Sequence, residues 1–140
     1  MIIKIQKIDS NAKIPDYANT NDAGLDLYSV EDLVLGKGER SAVRTGIKME
    51  IPGGYVGLVW DKSGLALKSG VKTMAGVIDA GYRGEIKVVL INLSNQDFKI
   101  KKGQKIAQML IQKIEYPGIE EVEELGESVR GENGFGSTGA

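Results

Sequence analysis

An all-β fold is the expectation for this chain: a jelly-roll or β-sandwich-like subunit with one short helix and a flexible C-terminal arm. Three observations lead there. Short apolar runs with a period of two recur along the sequence, separated by clusters of Gly, Pro, Asn and Asp. A single stretch, Ser63 to Gly70, joins good helix formers to a start and a stop signal. There is no heptad or repeat array, and 140 residues suit one domain that buries roughly two-thirds of its unfolded surface.

Taken in order, Ile3, Ile5 and Ile8 alternate imperfectly with Lys4, Gln6 and Lys7 and give a first strand. A polar loop follows from Asp9 to Asp22, interrupted by Pro15. Ala23 to Ser29 is a short strand in which Asp26 faces away from Leu25 and Leu27. Beyond a turn at Gly36-Lys37-Gly38-Glu39, the positions Val43, Thr45, Ile47, Met49 and Ile51 line one face of a long strand, which Pro52-Gly53-Gly54 ends. Tyr55 to Trp60 is expected to return as its hairpin partner. Ser63 stands where an N-cap is needed, Leu65 to Lys68 favour helix, and Gly70 is placed as the stop. Gly76 to Asn92 sets a glycine-rich turn, with Asp79 at its mouth, between two apolar runs that read as a hairpin. Turns at Ser94-Asn95-Gln96-Asp97 and Lys101-Lys102-Gly103 precede an alternating strand, Lys105 to Lys113. An acidic stretch then leads into glycine-rich sequence, so residues 1–125 are expected to form the β domain and 126–140 an arm.

Composition limits the chemistry. A formal net charge of -1 and a pI near 5.6 give no general basic surface for nucleic acid, so an anionic ligand must be held by a few local donors. With no Cys and no His, disulfides, thiolate or imidazole nucleophiles, His bases and the usual zinc ligand sets are excluded. Carboxylates remain as bases. The N-terminal stretch has no signal-peptide pattern, and no apolar run approaches the roughly 18 residues of a membrane span. The expectation is a soluble cytoplasmic protein with no membrane or nucleic-acid partner.

Five stretches carry candidate chemistry, each with a plainer alternative. Asp79 sits among Gly76, Gly81 and Gly84, where the backbone can turn sharply or approach a ligand; a turn-forming Asp is the ordinary case. Lys62, Ser63 and Gly64 place a cation and free amides where a helix starts, which suits an anion or a routine connector. Gln108 interrupts an apolar strand, its amide either satisfied by backbone or presented to a ligand. Asp26 is a ligand contact or a solvated strand residue. In the arm, Arg130 offers a guanidinium, Phe135 a stacking face, and Gly136, Ser137 and Thr138 a nest of amides; a frayed terminus is the alternative.

Together, in order and spacing, these stretches resemble the five motifs of the trimeric deoxyuridine triphosphatase (dUTPase) family over nearly the whole chain. They are Ala23-Gly24-Leu25-Asp26-Leu27-Tyr28-Ser29, Lys62-Ser63-Gly64-Leu65-Ala66, Gly76-Val77-Ile78-Asp79 through Tyr82-Arg83-Gly84-Glu85, Gly103-Gln104-Lys105-Ile106-Ala107-Gln108, and Arg130-Gly131 with Gly134 to Gly139. The resemblance implies a jelly-roll homotrimer that cleaves dUTP to dUMP and pyrophosphate with Mg²⁺, each site assembled from three chains. By the same pattern Asp79 deprotonates the water that attacks the α-phosphorus, Tyr82 packs on the deoxyribose, and Asp26 lies near the metal and its waters. Lys62, Ser63, Gly64 and Gln108 hold phosphate oxygens, Phe135 stacks on uracil, and Arg130, Gly136, Ser137 and Thr138 close over the phosphates. Uracil is read mainly by the backbone from Thr73 through Val77 and Ile78 to Lys87.

Two departures stand out. Lys62, preceded by Asp61, replaces the usual Arg, which keeps the charge and loses the bidentate fork. Asn133 stands where Gly is common. A related dCTP deaminase would need a catalytic Glu at Val89, and a non-catalytic nucleotide sensor would be expected to lack the base or the arm.

Overall fold

Period-two burial in the longest strand shows how the sequence becomes a sandwich. Val43, Thr45, Ile47 and Met49 are buried, and Ile51 follows just past the strand end. The computed structural model describes residues 1–134. Its strands are β1 (Lys4–Lys7), β2 (Leu25–Tyr28), β3 (Leu33–Leu35), β4 (Arg40–Glu50), β5 (Tyr55–Trp60), β6 (Val71–Met74), β7 (Val77–Ile78), β8 (Glu85–Asn92), β9 (Phe98–Ile100) and β10 (Lys105–Lys113). The helix α1 (Ser63–Ser69) links β5 to β6. One sheet has the order β1-β4-β8-β6, a second β2-β10-β5-β7, and β3 pairs with β9 as a ribbon. Every pairing is antiparallel. The core lies between the two larger sheets, where Val43 and Ile47 of β4 and Ile86, Val88 and Leu90 of β8 meet Leu27, Ile106 and Met109 of the other sheet. This is the jelly-roll sandwich expected from the strand pattern.

Two expected hairpins are not hairpins. β4 and β5 lie in different sheets, and so do β7 and β8. Alternation shows that a strand has a buried face, but it does not show whether the next strand pairs beside it or packs across the core from it. Pro52-Gly53-Gly54 therefore carries the chain over the sandwich edge, with the Tyr55 amide donating to the Pro52 carbonyl. The partner of β8 on that side is β6, through Thr73↔Leu90 and Met74↔Val89. At Ala75 and Gly76, both with positive φ, the chain leaves β6's sheet and pairs with β5 as β7.

The capping expectation also needs correction. The N-cap is Lys62 rather than Ser63, and no side chain caps the helix start. Gly70 takes the left-handed conformation and ends α1 as expected. Ser63 is the first helical residue and is exposed, and the first amides of the helix are left without a side-chain cap.

Candidate active site

The turn after β7 forms one wall of a cavity of about 370 Å³ lined by Val77, Ile78, Asp79, Tyr82, Glu85 and Lys87. That volume suits a nucleoside-sized ligand. The Asp79 carbonyl accepts the Tyr82 amide at 3.0 Å, closing the turn, while the Asp79 side chain stays exposed. The Tyr82 hydroxyl donates to the Glu85 carbonyl at 3.1 Å, so the half-exposed ring is pinned against the cavity wall. Glu85 is fixed in turn. Its carboxylate accepts the Gly46 amide at 3.0 Å and the Arg44 Nε at 3.2 Å, filling the irregularity where β4 and β8 shift register.

A second cluster forms where β2, β10 and the start of α1 meet. Asp26, 1% exposed, receives the Lys62 ammonium at 2.5 Å on Oδ1 and the Lys105 ammonium at 2.6 Å on Oδ2. The Lys105 contact is an ion pair without hydrogen-bond alignment. Burial pushes the Asp26 carboxyl up, but Lys105 and Lys62 outweigh it and hold it below the usual carboxylate range. Gln108 pairs with Asp26 across β2 and with Trp60 across β5, and its Nε2 donates to the Asp61 carbonyl at 2.9 Å. A side chain at Gly24 would run into Gln108, whose Cβ and Cδ would lie 3.0 Å from an added Cβ, so this close approach requires glycine. The bond from Gln108 to backbone tethers the segment that carries Lys62, Ser63 and Gly64.

Asp61 joins that segment to β6. Its Oδ1 accepts the Thr73 amide at 2.6 Å and the Thr73 hydroxyl at 2.7 Å, and its Oδ2 pairs with Lys72 at 2.9 Å. Thr73 thus gives its amide and its hydroxyl to Asp61.

The two clusters stand apart within one chain. Ile78, next to Asp79, pairs with Gly57, whereas Gln108 pairs with Trp60. About 10 Å of strand separates those positions, and Asp79 and Lys62 lie beyond its two ends. Arg130 joins neither cluster; its Nε donates to the Asn133 carbonyl at 2.8 Å in an exposed turn. Phe135, Gly136, Ser137 and Thr138 lie outside the described residues.

The dUTPase family model matches residues 10–139. The chain belongs to the dUTPase family. The deoxyuridine 5'-triphosphate nucleotidohydrolase of Clostridium tetani is 49% identical over 98% of this chain and 96% of its own length. That of Clostridium acetobutylicum is 50% identical with the same coverage. Among solved structures, the Staphylococcus bacteriophage 80alpha dUTPase with dUPNHPP superposes with a TM-score of 0.93 at 31% identity, covering 99% of each chain. A D95N dUTPase from phage phi11 of S. aureus, described as showing the coordination of a structural Mg(II) ion, has a TM-score of 0.83 at 28% identity and covers 89% of this chain and 98% of its own.

Sequence gave no site role to Glu85, Lys105 or Gly24. Glu85 ends the Tyr-Arg-Gly-Glu run, and Lys105 opens β10 opposite Tyr28, so strand register is the signal that would have placed Lys105 beside Asp26.

Proposed function

We propose that the chain hydrolyses dUTP to dUMP and pyrophosphate, with uracil and deoxyribose in the Asp79 cavity and the triphosphate reaching the Lys62 cluster. The observation that carries this is the joint lining of one nucleoside-sized cavity by Asp79, Tyr82 and Lys87. In the step, Asp79 takes a proton from water as the water oxygen bonds to the α-phosphorus. The bond from that phosphorus to the bridging oxygen breaks, and pyrophosphate leaves with the electron pair. With no His or Cys in the chain, a carboxylate is the available base. Val77 and Ile78 supply edge backbone for uracil, and Tyr82 provides a wall where a ribose 2′-hydroxyl would collide. The reaction relieves the cell of uracil precursors for DNA and supplies dUMP for thymidylate synthesis, consistent with a cytoplasmic enzyme. Among the described residues, no helix is long and apolar enough to cross a membrane.

The separation of the clusters supports sites shared between subunits, in the homotrimer that the family resemblance implies. The Asp79 cavity of one chain and the Lys62, Ser63 and Gly64 segment of another can meet around one substrate, whereas the two ends of β5 within a chain hold them apart. The arm, 126–140, then closes the site with Arg130, Phe135, Gly136, Ser137 and Thr138.

Mg²⁺ fits as an ion carried by the substrate. No group of three carboxylates among the described residues could hold it, and both oxygens of Asp26 already face lysines. Asp26 would meet such an ion through water, since both of its oxygens already face lysines. When bound, Mg²⁺ neutralises phosphate charge and makes the phosphorus more electrophilic.

The test is pyrophosphate release from dUTP, with dCTP and dTTP in parallel and ammonia followed alongside. Asp79→Asn should bind dUTP and lose at least two orders of magnitude in kcat. Near wild-type turnover by that variant would contradict the assignment of the base.

A further inference from the structure

The sequence suggests that Gly84 is present for a positive φ or for ligand approach, and the structure gives a different reason. Gly84 does not have positive φ. A Cβ built on it would fall onto the Tyr82 ring, 2.5 Å from Cζ and 2.9 Å from Cε2, with the hydroxyl oxygen nearer still. These separations are shorter than Cβ atoms tolerate, and neither ring atom is the free end of a flexible chain. The Tyr82 hydroxyl is bonded to the Glu85 carbonyl, and Glu85 is bonded through its carboxylate to Gly46 and Arg44. The backbone under the ring therefore cannot yield easily, so the ring must swing out.

We propose that Gly84 is a specificity-determining position: its missing side chain lets the Tyr82 ring lie against the 84–85 backbone, and that seat sets the distance between the ring and the sugar. Gly84 touches no substrate and acts through Tyr82, so it is a positioning residue. The inference rests on the reading of Tyr82 as the wall that excludes a 2′-hydroxyl. A ring swung out by an added methyl leaves the space beside C2′ open, so the ratio of kcat/KM for dUTP over UTP falls, because discrimination by exclusion depends on a wall held in place. A residue that merely supports the fold lowers both substrates together and leaves the ratio alone.

The experiment compares wild type, Gly84→Ala, Tyr82→Phe and Tyr82→Ala in kcat/KM for dUTP and UTP, each at a temperature well below its own unfolding transition. Gly84→Ala should cut the dUTP/UTP ratio at least tenfold. Tyr82→Phe loses the bond to Glu85 but keeps the ring, and should cut it by a smaller factor; this holds the proposal open to refutation if Gly84→Ala does not fold. Tyr82→Ala should cut the ratio most. If Tyr82→Ala lowers the ratio while Gly84→Ala and Tyr82→Phe leave it at the wild-type value, the positioning role is refuted and the sugar wall stands. If Tyr82→Ala itself keeps the wild-type ratio, the sugar-wall reading fails and takes the inference with it.

Discussion

Replacing Asp61 separates two contributions to the segment that carries Lys62. Oδ1 accepts the amide and the hydroxyl of Thr73 at 2.6 and 2.7 Å, while Oδ2 meets Lys72 at 2.9 Å with the two side chains 24% and 55% exposed. A hydrogen bond to a charged group contributes about 1.5 to 3 kcal/mol, and a surface ion pair about 0 to 1 kcal/mol. Two donors sharing one oxygen are not additive, so Asp61→Ala should cost about 3 kcal/mol. Asp61→Asn keeps an oxygen for Thr73 and loses the pair with Lys72, and should cost about 1 kcal/mol. For a chain of this size that corresponds to melting temperatures lower by about 10 °C and about 3 °C, compared at one fixed protein concentration. The Gln108 bond to the Asp61 carbonyl survives in both variants, so the segment stays tethered by its main chain. Activity should therefore decline mainly through KM for dUTP, by about tenfold in Asp61→Ala, as Lys62 and Ser63 lose their register. Thermal melting and steady-state pyrophosphate release measure the two effects. Equal melting temperatures for Asp61→Ala and Asp61→Asn would refute the claim that the Thr73 bonds stabilise the segment more than the Lys72 pair does.

Two further outcomes follow from the same contacts and from the arm. Burial raises the carboxyls of both Asp26 and Asp61, yet their partners outweigh it, lysines at Asp26 and Lys72 with Thr73 at Asp61, and hold both below the usual range. A depressed folded-state value stabilises fully above the unfolded carboxylate range, about pH 4, and that stability is lost as pH falls through the folded values. Urea midpoints should thus drop steeply below about pH 4, and less steeply in Asp26→Asn; the same slope in both would show that Asp26 does not contribute. Ending the chain after Leu125 should preserve folding and assembly in melting and sedimentation experiments, because β10 already ends at Lys113, while dUTP hydrolysis falls by at least tenfold. Loss of folding, or full retained activity, would contradict the closing-arm proposal.

Sequence made the strands legible wherever one face is buried and the other wet. Val43 to Met49 and Lys105 to Lys113 fell where alternation put them, and Gly70 stopped the helix because the left-handed conformation there suits glycine. Strand pairing was less legible. A period of two looks the same whether Tyr55 to Trp60 lies beside β4 or across the core from it, and the structure takes the second option. Val77, Ile78, Asp79, Tyr82 and Lys87 come together in one cavity because they are neighbours along one turn and the strand after it, so their grouping was visible in the chain order. Contacts between distant segments were hidden. The burial of Asp26 between Lys62 and Lys105 depends on the register of β2 with β10, and the binding of Thr73 by Asp61 depends on α1 returning the chain past β5. Ser63 looked like a cap because its type favours that position; the cap falls one residue earlier, at Lys62, and leaves Ser63 exposed.

The most direct test of a shared site mixes two disabled chains. Asp79→Asn removes the proposed base, and Lys62→Met with Ser63→Ala disables the phosphate segment; each variant alone should be inactive. If a site takes Asp79 from one chain and the Lys62 segment from another, subunits unfolded together and refolded in equal amounts should rebuild intact sites. Random assembly gives about a quarter of sites with both parts unaltered, so pyrophosphate release should recover to about a quarter of the wild-type rate. A refolded mixture that assembles normally and stays as inactive as its parents would show that both parts act within one chain, contradicting the shared site.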